Sequence, residues 1–149
     1  YLLIEFIPKF MPELVLLFTS SFIAATIFPA GSELVLAGLA KLGNHHPMLL
    51  LIIATIGNVL GAITNWFIGL KLLYFKDKKY FPLSPKTLEG ATKLYQKFGL
   101  WSLLFAWLPI IGDPLTLIAG IFKTKFLPFI FLVTIGKALR YYFIIWLIA

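Results

Sequence analysis

The chain has 149 residues, of which 60% are hydrophobic and 13% charged, against roughly 25% charged in ordinary soluble domains. That composition excludes a soluble globular enzyme and a disordered chain, and at this length it leaves a single-domain membrane protein spanning 1–149. The absence of cysteine removes disulfides, thiolate metal sites, a thiol nucleophile and iron–sulfur clusters. The net charge of +7 gathers in one polar stretch instead of interleaving over a solvated surface, so no nucleic-acid partner is expected.

In chain order, Glu5, Lys9 and Glu13 interrupt the N-terminus and a further apolar run follows, which argues against a cleavable signal peptide. Leu14 to Ser32 is an uncharged run of 19 residues, broken by Pro29-Ala30-Gly31-Ser32-Glu33 and followed by a second arm, Leu34 to Ala40. A proline and a glycine beside an acid do not suit a continuous lipid-exposed helix. The segment therefore reads as a re-entrant helical hairpin, with Ser32 as the N-cap of the returning arm. Asn44-His45-His46 forms a turn with no nearby carboxylate or cysteine expected to complete a metal site. From Pro47 an uncharged run continues to Leu70, long enough for a transmembrane helix. Its Gly57, Gly61, Asn65 and Gly69 recur every four residues, a stripe that permits close helix contact within the chain or in a homo-oligomer. Asn58 and Asn65 either line a polar path or hydrogen-bond across helices.

Residues 71–98 form a linker rich in lysine: Lys71, Lys76, Lys78, Lys79, Lys86, Lys93 and Lys97 against Asp77 and Glu89. Excess lysine places this face in the cytoplasm. Within it, Ser84-Pro85 starts an amphipathic helix with Leu88, Ala91, Leu94, Tyr95 and Phe98 on one side, and Gly99 ends it. Such a helix is expected to lie on the membrane surface. The stretch 98–122 is broken by Pro109-Ile110-Ile111-Gly112-Asp113-Pro114 and reads as a second re-entrant hairpin, with Asp113 as N-cap and Pro114 at the first helical position. The last 24 residues, 126–149, span a bilayer provided Lys137 and Arg140 are tolerated inside it.

These elements repeat. In 14–70 and again in 99–149, a hairpin precedes a short turn, a proline and a spanning helix, and the acid follows the hairpin proline by four residues in each. A hairpin returns to its own side and the next helix crosses once, so the second unit starts on the opposite face. The fold class expected is an all-α polytopic membrane protein of two inverted repeats, a design that places a site where the broken helices meet.

At Ser20–Leu36, Gly57–Gly69, Ala106–Gly120 and Gly136–Tyr141 the chain resembles the DedA superfamily, also called the VTT or SNARE-associated Golgi protein domain, in its small YqaA-like branch. The resemblance implies two facing re-entrant hairpins in a bacterial inner membrane and proton-coupled translocation of a lipid carrier or phospholipid. Larger members carry two arginines around the second hairpin's proline, where this chain has Ala106 and Gly112.

The candidate substrate- and ion-binding residues are Glu33, Asp113, Lys137, Arg140, Asn58 and Asn65, with Pro29, Gly31, Pro109, Gly112 and Pro114 as the hairpin breaks. An ionisable group at the bilayer centre costs at least about 2.5–3.5 kcal/mol unless water or a partner meets it, so it marks a functional position by default. Lys137 and Arg140, three apart, share one helix face. Their alternative role is a static pairing with Glu33 and Asp113, the four charges summing to zero. The leading function is a non-enzymatic flippase for an anionic lipid or lipid phosphate, with Lys137 and Arg140 on the phosphate and Glu33 and Asp113 either carrying protons or competing for those cations. A structural membrane subunit and an intramembrane lipid hydrolase using the two acids are the alternatives. No cofactor is expected.

Overall fold

The computed structural model describes residues 2–26, 31–72, 85–108 and 112–148. Six α-helices are described: α1 (Leu2–Thr26), α2 (Gly31–Leu42), α3 (Pro47–Leu72), α4 (Pro85–Phe98), α5 (Gly112–Ile121) and α6 (Phe126–Ile148). A 3₁₀ arm (Gly99–Trp107) lies between α4 and α5. No strand occurs among the described residues. The predicted breaks Pro29 and Pro109 lie outside them, as does the lysine-rich part of the linker at 73–84. Gly31, Gly112 and Pro114 fall in the first turns of α2 and α5.

Two helices, Pro47–Lys71 and Phe126–Ile148, are long and apolar enough to cross a membrane. They run antiparallel: Tyr141 packs with Leu50 and Ala54 near one end, and Val133 and Phe129 with Ala62 and Trp66 near the other. α1 runs parallel to α3, with Phe18 and Ser21 against Gly57, and Phe22 and Ala25 against Gly61. A Cβ at Gly57 would stand 2.6 Å from the Phe18 carbonyl oxygen, so the small-residue stripe is used inside the chain. Its last member, Gly69, abuts Leu117, Gly120 and Ile121 of α5, and Gly120 in turn abuts the Trp66 backbone. α5 therefore also runs along α3, while the 3₁₀ arm runs along α6 and α2 packs on α6, α1 and α3. α2 and α5 thus touch α6 and α3, long helices remote from them in sequence, whereas α1 follows α3 and the 3₁₀ arm follows α6.

α4 starts at Pro85 and ends at Phe98, just before Gly99, whose φ of 61° favours glycine. Its apolar side, Ala91, Leu94 and Tyr95, packs on Leu115, Ile118 and Ile121 of α5, and Glu89 and Lys93 pair on the outer side at 3.1 Å. Trp66 Nε1 donates to the Thr124 carbonyl and Tyr95 shares a 2.5 Å hydrogen bond with the Thr124 hydroxyl. Those bonds gather the C-terminal ends of α3 and α5, the start of α6 and one face of α4 at a single end of the molecule. Lys71, Lys93, Lys97, Lys123 and Lys125 are exposed there.

Several expectations are corrected. α1 begins at Leu2, well before the uncharged run at Leu14, and includes Pro8 and Pro12. The arm before the second break is 3₁₀ rather than α; 3₁₀ geometry stacks residues three apart, which turns Leu100, Leu103 and Ala106 together toward α6. Ser32 and Asp113 do not cap their helices, which start one residue earlier. Both side chains reach across to α6 instead. His45 does have a carboxylate beside it: its Nε2 lies 2.6 Å from Glu13 Oε2, supplied by α1 from 32 residues away.

Candidate functional site

The site forms where α2 and α5 begin, against the middle of α6. Lys137 is the twelfth of the 23 residues of α6 and Arg140 lies one turn further on. Each meets an acid in the first turn of a short helix, a position where the helix dipole favours negative charge. Lys137 Nζ donates to Asp113 Oδ1 at 2.5 Å, and the Arg140 guanidinium rests on the Glu33 carboxylate. The four predicted charges are thus brought together as two ion pairs with defined partners.

The pairs differ in surroundings. The Lys137 side chain is 1% exposed and that of Asp113 17%, whereas Arg140 and Glu33 stand at 16% and 37%. The more open pair lines a groove of about 460 Å³ completed by Trp107, Leu139, Phe143 and Ile144. This is an apolar trough with one ion pair in its wall, of the size that holds a small ligand. Leu139, Phe143 and Trp107 also present exposed apolar surface, as lipid-facing residues do. Chemically, the guanidinium is a planar fork suited to phosphate, and the Lys137 ammonium is a point charge enclosed by protein.

Asn58 and Asn65 do not join the ion pairs. Asn58 Nδ2 donates to the Ser21 carbonyl, tying α3 to α1. Asn65 Nδ2 donates to the Ala25 carbonyl and to Thr116 Oγ1, and Thr116 donates to the Asp113 carbonyl, so Asn65 braces the start of α5. Gly31 opens α2 with nothing close to it, whereas a Cβ on Gly112 would strike the Ala106 carbonyl. No side chain fits at 112, and the cations of this site come from α6.

Sequence reasoning missed Tyr141, whose hydroxyl shares a buried 2.9 Å hydrogen bond with Ser32 Oγ and fixes the start of α2 beside Arg140. It also missed Trp107 in the groove wall. Tyr141 follows Lys137 by four residues and so lies on the same stripe of α6, which was the available signal; Trp107 offered none. Among the described residues no three His, Asp or Glu side chains gather as a metal site.

The VTT domain matches residues 11–149. The chain belongs to the VTT-domain (DedA) family. It is 40% identical over 127 residues to "Inner membrane protein YqaA" of Escherichia coli, covering 84% of this chain and 83% of that protein. To "Undecaprenyl phosphate transporter A" of Staphylococcus aureus it is 28% identical over 122 residues, 76% of this chain and 60% of the relative. An "Alkaline phosphatase-like protein" of Lactococcus lactis is 32% identical over 96 residues, 58% of this chain and 45% of the relative. No solved structure matches. With the VTT domain, relatives named as inner membrane proteins and two apolar helices of spanning length, the chain is an inner-membrane protein.

Proposed function

We propose that this protein moves a lipid phosphate across the inner membrane past the charged layer of α6, exchanging protons at Glu33 and Asp113. The observation that carries the reading is the Glu33–Arg140 pair in the wall of an apolar, lipid-facing groove, because a phosphate needs the cation and its tail needs the trough. The relative named for undecaprenyl phosphate transport supports the same substrate class.

In this reading α1–α2 and the 3₁₀ arm–α5 are two re-entrant hairpins, and 14–70 and 99–149 are inverted repeats joined by the 71–98 linker. The exchanged packing supports it: α1 follows α3 and the 3₁₀ arm follows α6, while α5 crosses to α3 and α2 to α6. The exposed lysines around Thr124 face the cytoplasm, and the end carrying His45 faces outward.

The test uses vesicles holding a polyprenyl phosphate in both leaflets, with an external phosphatase that reaches only the outer one. Protein-free vesicles lose about half of their phosphate. Vesicles with this protein lose nearly all of it if the lipid crosses, and stop at the same half if it does not.

A further inference from the structure

At the end of the molecule opposite His45, two lysines stand where the backbone favours other residues. α5 closes with the Thr124 amide on the Ala119 carbonyl at 2.9 Å and the Lys123 amide on the Gly120 carbonyl at 3.0 Å. That pair of bonds puts Lys123 in the position glycine usually holds at a helix stop. Its φ of 56° makes it the one non-glycine residue with positive φ among the described residues, a conformation that strains a residue carrying a Cβ. Two residues on, the Lys125 carbonyl accepts the Phe129 amide at 3.1 Å as the first bond of α6. Lys125 thus precedes a helix, where serine, threonine, aspartate or asparagine is preferred and the dipole disfavours a cation. Thr124 between them is buried and held by Trp66 and Tyr95, while both lysines are exposed.

Positions that break local preference without a gain inside the fold are kept for a role outside it. The surroundings say which. Lys71 emerges at the same place, because α3 and α5 cross at Gly69 and Gly120. Lys97 lies near the end of α4, whose Tyr95 stacks on Phe122 at 4.9 Å. Lys71, Lys97, Lys123 and Lys125 have no carboxylate within ion-pair reach among the described residues, and Glu89 is taken by Lys93. Beside these ammonium groups lie the exposed rings of Phe67, Phe98, Trp101 and Phe122. A soluble polyanion would meet the charge and leave the rings in water. A phospholipid brings negative charge and acyl chain together. We infer that this end binds anionic phospholipid of the leaflet it meets, with Lys123 and Lys125 kept for the headgroups. Orienting the chain needs only lysine near a helix end, and less strained places for it were available. The occupant is bulk lipid at the rim, separate from the lipid phosphate of the groove. Each lysine near an anionic surface is worth about fivefold in affinity.

The test is thermal unfolding of the full chain in maltoside micelles carrying phosphatidylcholine, with phosphatidylglycerol of the same acyl chains replacing it stepwise at constant total lipid. A ligand that binds only the folded state raises the melting temperature. Native protein should melt higher as phosphatidylglycerol replaces phosphatidylcholine, and about 0.5 M salt should remove most of that rise. Lys123→Gly should melt above native in phosphatidylcholine alone, because the strain is gone, yet gain less from phosphatidylglycerol. Lys125→Asn leaves the Lys123 turn untouched and should also gain less, which keeps the inference testable if Lys123→Gly misfolds. The double variant should show less than about half of the native rise. Lys41→Gln removes one charge at the opposite end and should keep all of it. Native protein indifferent to phosphatidylglycerol, or a double variant with the native rise, overturns the inference. So does a Lys41→Gln protein that loses as much as the double variant, since net charge would then account for the effect. Lys123→Gly melting below native in phosphatidylcholine overturns the part given to Lys123. Glycerol phosphate that raises the melting temperature as far as phosphatidylglycerol overturns the lipid source, and a short DNA duplex that does so assigns the surface to nucleic acid instead.

Discussion

Replacing Asp113 with Asn leaves the Lys137 ammonium enclosed without its carboxylate. The Lys137 side chain is 1% exposed and its Nζ lies 2.5 Å from Asp113 Oδ1, so nothing short of local unfolding hydrates the released charge. Breaking a buried pair by removing one partner costs about 3–5 kcal/mol, and a lone charge at the bilayer centre costs about 2.5–3.5 kcal/mol; the two figures meet near 3. Adding Lys137→Met removes the stranded charge, and the double variant should recover to within about 1 kcal/mol of native, because two buried charges are lost together. The same neutralisation at Glu33 should cost about 1 kcal/mol or less, since Arg140 borders the groove and Glu33 is 37% exposed. The assay is unfolding in mixed micelles for native, Asp113→Asn, Lys137→Met, the double variant and Glu33→Gln. Equal losses for Asp113→Asn and Glu33→Gln would refute the division between an enclosed and a groove-lining pair. So would a double variant as unstable as the sum of its singles.

Gly120→Ala should destabilise by about 1–3 kcal/mol, the usual range for overpacking, because its Cβ would strike the Trp66 backbone; Gly38→Ala, inside α2 with open space around it, should instead stabilise the fold against unfolding in detergent by about 0.5–1 kcal/mol. With no native cysteine, Lys125→Cys should react with an impermeant thiol reagent only from the cytoplasmic side and Leu42→Cys only from outside. Labelling of both from one side would contradict the proposed orientation.

Much of the helical framework was readable from local pattern. Pro47 and Pro85 mark helix starts and Gly99 a helix stop because each acts on its own backbone, and the two spans follow from uncharged length alone. The pairing of two acids with Lys137 and Arg140 was readable for a different reason: buried charges must find opposite charges, and few were available. What escaped depends on neighbours distant in sequence. Leu100, Leu103 and Ala106 fit a 3₁₀ arm or an α-helix equally well by composition, and packing on α6 decides between them. Glu13 reaches His45 only once α1 lies beside the turn before α3. The groove is lined by Trp107 at the end of one arm and Glu33 at the start of another, and no spacing within either segment encodes that juxtaposition. The inequality of the two ion pairs is likewise a property of the packed helices, since Lys137 and Arg140 look alike in sequence.

The most direct test of lipid-phosphate movement at Arg140 is the phosphatase-accessibility measurement on vesicles holding native protein or Arg140→Gln, at equal amounts of folded protein. Native vesicles should lose nearly all of their polyprenyl phosphate to the external enzyme, and Arg140→Gln vesicles should stop near the outer-leaflet half. Complete loss in both, at the same rate, would contradict the account.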